Sequence, residues 1–430
     1  MFKNILKKLI PPLIISWYHK ILAYLAMIIY LDPSAKLIVI GVTGTNGKST
    51  VVNLIGEILN YAEQKTGWTS TTNFSIGKNS WLNDKKMTML GRFQTQSFLK
   101  KCVKEKCKYV IIETSSEGIK QYRHLGINYD MIVFTNLTPE HIESHGSYEL
   151  YKQTKGRLFK HLTNKRTKLI DKTVIVNDDD LNADYFLSFK ADRKITYSIK
   201  NDSEFRAKNI ELTSNGTIFK IEDETFKTNL LGSVNIYNSL AAISVCKILK
   251  VDDQKIREAL LKYQGVPGRF EFINQGQNFK VMVDYAPEIE SMNKLYETIK
   301  LFDFNKIIHV LGSCGGGRDL ARRPVLGKIA ALNADYVIIT NEDPYDDDPL
   351  EIIDQVATGA LNNGKTLDQD LFKILDRKEA VTKALSLAKE NDLVLITGKG
   401  SEQAICIEHG KKIPWDDRQI IKELLKFKTK

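Results

Sequence analysis

The run Gly41-Val42-Thr43-Gly44-Thr45-Asn46-Gly47-Lys48-Ser49-Thr50 restricts what this chain can fold into more than any other stretch. Before it stands Leu37-Ile38-Val39-Ile40, an unbroken apolar segment that reads as a buried strand. After it, Val51-Val52-Asn53-Leu54-Ile55-Gly56-Glu57-Ile58-Leu59 reads as a helix. A strand, a glycine-rich turn and a helix N-terminus form a cradle for polyphosphate, because backbone N–H groups and the helix dipole converge there. Lys48 adds a point charge for the β- and γ-phosphates, and Ser49 a hydroxyl for Mg²⁺. The generic pattern G-x-x-x-x-G-K-[ST] is not strictly met, since Val42 occupies the place of its first glycine.

The 430 residues suffice for two or three domains, with the composition of a soluble globular protein. The net charge of +10 suits an anionic partner. Its lysines are spread widely, without a dense basic cluster interleaved with aromatics, which favours an anionic small substrate over nucleic acid. Cys102, Cys107, Cys246, Cys314 and Cys406 are odd in number and match no zinc-ribbon spacing. They read as reduced thiols of a cytoplasmic protein, and a monomer is expected.

Residues 1–31 are basic at the start and then apolar from Leu9 to Leu31. Pro11-Pro12 and His19-Lys20 interrupt the apolar stretch, and no small-residue cleavage site follows. The uninterrupted part, Ile21 to Leu31, is shorter than the roughly 20 residues a span requires. The segment reads as a helix packed on the protein itself or as an interfacial membrane helix.

From Lys36 onward, strands and helices alternate. Leu37 to Val42, Tyr109 to Thr114, Met131 to Thr135 and Thr173 to Asn177 read as strands of a mainly parallel α/β sheet. Ile195 to Thr228 reads as an antiparallel extension of the same domain, with Asn215-Gly216 as a hairpin turn. Gly265-Val266-Pro267-Gly268 reads as a hinge. A second βα series then follows, with strands at Val281 to Asp284, Ile307 to Leu311, Tyr336 to Thr340 and Leu393 to Thr397. The expected layout is an apolar helical segment (1–35), a P-loop-type ATP-binding domain (36–267) and a Rossmann-like domain (268–430). Both sheets are expected to bind ligands beyond the carboxyl ends of their strands.

Glu113 ends one strand of the phosphate-loop sheet, and His141 follows another. A carboxylate and an imidazole there are candidate ligands of a nucleotide-bound divalent ion.

Taken with those two residues, the loop resembles that of the Mur ligase family, ATP-dependent amide ligases of peptidoglycan precursor synthesis. The likeness runs from about Lys36 to the C-terminus and is closest to the MurE type, which adds the third residue to UDP-N-acetylmuramoyl-L-Ala-D-Glu. It is carried in order by Glu113-Thr114-Ser115-Ser116-Glu117-Gly118, Thr135-Asn136-Leu137 through His141 to His145-Gly146, and Tyr151 to Phe159. Pro267-Gly268-Arg269-Phe270-Glu271, Asp284-Tyr285-Ala286, Arg318-Asp319 with Arg323-Pro324, and Asp343-Pro344 continue it. Gly398-Lys399-Gly400-Ser401-Glu402 and Asp416-Asp417-Arg418 complete it.

The resemblance implies roles. Gly44, Thr45, Asn46, Gly47, Lys48, Ser49 and Thr50 would hold the ATP phosphates, with Asn235, Asn238, Arg269 and Asp284 also contacting the nucleotide. Ser49, Glu113, His141 and a carbamylated Lys155 would hold two Mg²⁺ ions; carbamylation turns that cation into an anion. On sequence alone Lys155 is an ordinary surface lysine. Thr114, Ser115, Ser116, Arg123, Arg318, Arg323, Asp343, Pro344, Gly398 and Glu402 would meet the substrates. A substrate carboxylate would take the γ-phosphoryl group, and an amine would then displace phosphate to form an amide.

Several positions depart from the family. The phosphate loop starts near residue 41, leaving no room in this sequence for the usual domain that grips UDP. Met87 to Phe93 replaces a threonine-rich substrate loop, Glu117 and Pro287 each replace a histidine, and Tyr345 replaces the arginine of diaminopimelate enzymes. Without that guanidinium, lysine or another amine fits better than diaminopimelate. Asp346-Asp347-Asp348 would attract a cationic side chain or form a solvated loop. The leading reading is a MurE-like ligase. The alternatives are a Mur-type ligase on a folate-like or other carboxylate, and a membrane-associated ATP-binding protein that has lost catalysis.

Overall fold

The structure is a computed structural model that describes residues 11–139, 146–164, 168–317 and 320–428. Among these residues, eleven strands form one sheet. They are β1 (Ile38–Thr43), β2 (Thr66–Thr69), β3 (Asn73–Ile76), β4 (Asn79–Leu82), β5 (Tyr109–Glu113) and β6 (Met131–Phe134). The others are β7 (Thr173–Asn177), β8 (Arg193–Ser198), β9 (Phe205–Thr213), β10 (Gly216–Ile221) and β11 (Glu224–Thr228). Their order is β11-β10-β9-β8-β7-β6-β1-β5-β2-β3-β4.

β1 is central and pairs in parallel with both β5 and β6, Ile40 lying opposite Ile111 on one side and Met131 on the other. Both faces of the central strands are covered, so β1, β5, β6 and β7 are buried nearly end to end and read as apolar runs instead of alternating ones. Ile40 and Val42 pack under the helices Lys48–Tyr61 and Ser233–Ile248. Val39 faces the opposite core with Leu99 and Phe159, from the helices Arg92–Lys104 and Tyr148–Leu162. The chain leaves β1 between β5 and β6, a topological switch point where a crevice opens above the strand ends.

The expected central strands are present within a residue at each end. The stretch read as an antiparallel extension divides: β8 continues the sheet in parallel beside β7, and only β9, β10 and β11 form an antiparallel meander. Its first turn is at Asn215-Gly216, where Gly216 has φ 143°. β2, β3 and β4 were not foreseen. They are four residues each and rich in polar groups, too short to show a period.

A second, six-stranded sheet contains β12 (Glu271–Ile273), β13 (Lys280–Val283), β14 (Ile307–Leu311), β15 (Tyr336–Thr340), β16 (Leu371–Ile374) and β17 (Leu393–Ile396). Their order is β12-β13-β17-β14-β15-β16, all parallel except β12.

His309, inside β14, is fully buried between the Tyr296 hydroxyl (2.7 Å from Nδ1) and the Thr397 hydroxyl (2.9 Å from Nε2). Burial, aided by the nearby Arg377 guanidinium, pushes its pKa down to about 3 from the usual 6.5. The imidazole is therefore neutral in the folded protein and takes up a proton only on unfolding. Unfolded chains bind more protons between pH 6.5 and 3, so stability present above pH 6.5 is lost as pH falls through that window. At pH 5 the loss from this residue is about 2 kcal/mol relative to pH 7. Urea unfolding at both pH values will show it, and His309→Gln will flatten the dependence.

Candidate functional site

A cleft of about 1340 Å³ runs between the carboxyl ends of the two sheets. The phosphate loop, Glu113, Asn136, Asn235 and Asn238 line one wall, and Arg269, Asp284, Tyr285 and Glu288 the other.

The loop is held from below by the segment that follows β6. The Thr45 and Asn46 amides donate to the Asn136 carbonyl and side-chain oxygens, both at 2.8 Å. The Thr135 hydroxyl donates to the Asn46 carbonyl at 2.7 Å. This close approach is what the glycines permit. A Cβ on Gly44 would stand 1.9 Å from the Thr135 hydroxyl oxygen, and one on Gly47 (φ 82°) 2.3 Å from Asn238 Oδ1. The helix Lys48–Tyr61 starts at Gly47, so the Ser49 and Thr50 amides point out of the first turn beyond any intrahelical acceptor. Lys48 Nζ donates to the Thr45 carbonyl at 2.6 Å, within reach of the same cradle.

Beside the loop is an oxygen-rich corner. Glu113 ends β5 and is 1 % exposed. One of its oxygens accepts from the Ser49 hydroxyl (2.8 Å) and the Thr71 amide (2.7 Å), the other from the Thr71 hydroxyl (2.8 Å). A buried carboxylate and a serine hydroxyl joined in this way are the donor set of a hard divalent cation. His141 lies outside the described residues. Among the described residues no three acidic, histidine or cysteine side chains cluster as a ready-made metal cage.

Lys155 is not on the surface. It is 1 % exposed on the helix Tyr148–Leu162, where Nζ donates to the Gly44 carbonyl at 2.7 Å and sits 4.6 Å from the Tyr151 ring centre. Asn238 Nδ2 donates to Asn235 Oδ1 (2.8 Å), and Asn235 Nδ2 to the Leu231 carbonyl, which fixes that helix start against the loop. Arg269 stacks 4.0 Å over the Tyr285 ring. Asp284 braces the hinge, one oxygen accepting from the Phe270 amide (2.6 Å) and the other from the Ala286 amide (2.8 Å).

On the phosphate-loop side, Ser115, Ser116 and Arg123 face the cleft with Met87, Thr88 and Met89. Arg123 also donates to the Met89 carbonyl, tying the unusual loop to the wall. Thr114 is fully buried against the Ile112 carbonyl and the Tyr129 hydroxyl, so its hydroxyl is already engaged in the core.

In the second sheet, Arg318 lies outside the described residues. Arg323 is buried and bonds to Gln355, the Cys314 carbonyl and Asp347 instead of facing the cleft as an open fork. The acidic run is occupied structurally. Asp346 accepts from the His409 amide, Asp347 pairs with Arg323, and Asp348 caps the helix Pro349–Leu361. Pro344 is buried, and a Cβ on Gly398 would meet Glu342 Oε2 at 2.4 Å.

The sequence pointed to Asp343 and Glu402 but not to their partners. Lys399 Nζ, fully buried, donates to Asp343 (2.8 Å) and Glu402 (2.6 Å). A second ammonium comes from the other sheet's domain: Lys86 Nζ is 2.8 Å from Asp343 Oδ2, 3.3 Å from Glu402 and 2.7 Å from the Ala404 carbonyl. The two carboxylates hold its pKa well above the usual lysine value against the opposing effect of burial. No local signal marks Lys86, because its partners are more than 250 positions away.

A loop that grips a triphosphate, opposed across a hinge by a second sheet that can carry another reactant, is the arrangement an ATP-dependent ligase requires. Comparison with known proteins gives that class its family. The chain belongs to the Mur ligases: residues 42–246 match the Mur ligase middle domain and 268–400 the Mur ligase glutamate ligase domain. It is an ATP-dependent, ADP-forming ligase. It is 35 % identical over 421 residues to the UDP-N-acetylmuramoyl-L-alanyl-D-glutamate–2,6-diaminopimelate ligase of Bacillus cereus, covering 97 % of this chain and 84 % of that protein. A solved ligase of that name superposes with a TM-score of 0.61 at 28 % identity, over 92 % of this chain and 79 % of the other. The folylpolyglutamate synthase of Mycobacterium tuberculosis shares the fold, with a TM-score of 0.70 at 17 % identity over 87 % of this chain and 92 % of that one.

Proposed function

We propose that the protein activates a carboxylate of a muramoyl-peptide acceptor with ATP and couples it to an amino acid bearing a second, cationic amine. The acceptor carboxylate attacks the γ-phosphorus and ADP leaves; the incoming α-amine then attacks the acyl carbon of the acyl phosphate, inorganic phosphate leaves, and the nitrogen gives up a proton as the amide forms. Residues Gly44 to Thr50 would hold the triphosphate. Ser49, Glu113, His141 and carbamylated Lys155 would hold two Mg²⁺ ions, which offset charge on the phosphoryl oxygens when bound. Lys48 supplies a further positive charge at the same oxygens, and Thr71 fixes the Glu113 carboxylate for its task. Arg123, with Ser115 and Ser116, orients the acceptor. Hinge closure over Gly265 to Gly268 brings the two sheets together and excludes water.

The amino-acid reading rests on one observation: the Asp343–Glu402 pair already seats the alkylammonium group of Lys86. Lys86 withdraws for a lysine-like side chain to enter. Relatives are named as diaminopimelate ligases, but Tyr345 takes the place where the resemblance puts the guanidinium for diaminopimelate's second carboxylate. Peripheral membrane contact of residues 1–31, on the cytoplasmic side, belongs to the same proposal.

Phosphate release from ATP, measured with UDP-N-acetylmuramoyl-L-Ala-D-Glu and a panel of amino acids, tests it. Lysine or ornithine is expected to exceed meso-diaminopimelate by at least about tenfold, the scale set by one lost charged hydrogen-bond partner. Preference for diaminopimelate would overturn the side-chain reading, and no release with any muramoyl acceptor would overturn the acceptor.

A further inference from the structure

The helix Pro12–Ile29 has two apolar faces and only one is used. Ala23 and Ala26 are buried against the protein. On the opposite side Ile14, Trp17, Ile21, Leu25 and Ile28, spaced at three and four residues, form one stripe, each more than 40 % exposed. A contiguous exposed apolar stripe of this kind marks a surface that something covers.

The sequence of this segment and the adjoining helix indicate what. Residues 1–31 contain four lysines, Lys3, Lys7, Lys8 and Lys20, and no aspartate or glutamate. The adjoining helix Arg92–Lys104 adds exposed Lys100, Lys101 and Lys104, with Lys100 Nζ 5.7 Å from the Tyr30 ring centre. Trp17, Tyr18 and Tyr24 are exposed on the helix, and such amphipathic rings favour the headgroup level of a bilayer. Apolar stripe, aromatic flank and predominantly basic charge together match an anionic lipid surface, onto which such a helix lies flat. Among the described residues no helix is long and apolar enough to cross a membrane.

The position of the helix extends the argument to the substrate. Its Ser16 hydroxyl donates to the Tyr122 hydroxyl at 3.0 Å, and its His19 carbonyl accepts from Arg92 Nε at 3.1 Å. The next residue after Tyr122 is Arg123, which lines the acceptor side of the cleft and anchors Met89. The helix is thus the outer side of the acceptor wall.

We infer that the exposed face of this helix lies in the headgroup layer of an anionic bilayer, and that the cleft takes its acceptor from that surface as a carboxylate-bearing glycopeptide carried on a lipid. This rests on the acceptor class proposed above. The surface fits a bilayer through charge as well as apolarity, whereas a second copy would bring like-charged lysines together.

The full chain is tested by flotation with phosphatidylcholine vesicles, with and without about a third phosphatidylglycerol. The wild type floats with the anionic vesicles at least about tenfold more than with the neutral ones, and Trp17→Glu/Ile21→Glu stays at the bottom. With a soluble UDP-linked acceptor the double variant keeps wild-type phosphate release within about twofold; with the lipid-linked acceptor in anionic vesicles it falls about tenfold. A wild type that fails to float overturns the inference. So does a dimer in light scattering that the double variant dissolves, because a second copy then covers the stripe. Equal use of the lipid-linked acceptor by wild type and variant overturns the substrate half. Flotation without phosphate release from either acceptor overturns the muramoyl reading and leaves the membrane face standing.

Discussion

Lys155→Ala will lose about a thousandfold in kcat, and formate or acetate at high concentration will restore part of it. Burial of Lys155 supports this. Its side chain is 1 % exposed, with Nζ 2.7 Å from the Gly44 carbonyl at the phosphate loop and 4.6 Å from the Tyr151 ring centre. In the proposed modification the ammonium would give up one proton, and its neutral amine would add to CO₂ and release a second, leaving a carbamate anion on a long stem beside the phosphate loop. The carbamate nitrogen would keep one hydrogen, enough to donate to the Gly44 carbonyl as Nζ does now. The expected magnitude is that of losing one proposed anionic ligand of a metal that would stabilise the phosphoryl-transfer transition state, several kcal/mol. A small carboxylic acid entering the space left by the side chain replaces the anion but not its tether, so rescue is partial. Intact mass of the wild type under bicarbonate will show one added CO₂, absent in the variant. Full activity in Lys155→Ala would remove the carbamate from the mechanism.

The same residue shows where sequence reading reaches its limit. The phosphate loop was legible because strand, glycines and helix are contiguous, and each glycine proves to stand where a Cβ would collide. The parallel sheets were legible because strands covered on both faces are unbroken apolar runs. By contrast, the roles of Lys155 and Lys86 depend on contacts across 111 and 257 positions, and neither sits in a locally distinctive setting. Asp346, Asp347 and Asp348 mislead in the opposite direction: a dense acidic run suggests a binding patch, yet its charges go to a backbone amide, an arginine and a helix cap. Asp284 is similar, a strand-end carboxylate whose two oxygens both go to backbone amides. Charge is written in the sequence, but its neutralisation is decided by packing.

Glu113→Gln carries the second large effect, again about a thousandfold in kcat, and its cause can be separated from folding. The substitution keeps the volume of a side chain that is 1 % exposed, so the core around β5 is not opened. It changes the hydrogen-bond arithmetic instead. The carboxylate accepts from the Ser49 hydroxyl, the Thr71 amide and the Thr71 hydroxyl, three donors onto two oxygens. A glutamine brings an NH₂ into one of those positions. If it replaces Oε2 it faces the Thr71 amide, donor against donor; if it replaces Oε1, the Thr71 hydroxyl must turn. The first orientation also disturbs Ser49, another proposed Mg²⁺ ligand, and in both the negative charge itself is lost. Calorimetric titration with a non-hydrolysable ATP analogue, run with Mg²⁺ and with chelator, isolates this. The wild type binds more tightly with the metal, and Glu113→Gln binds the metal-free nucleotide like the wild type but gains little from Mg²⁺. An undiminished Mg²⁺ dependence in the variant would mean that Glu113 only holds Thr71 in place, and that the metal is supported from elsewhere in the cleft.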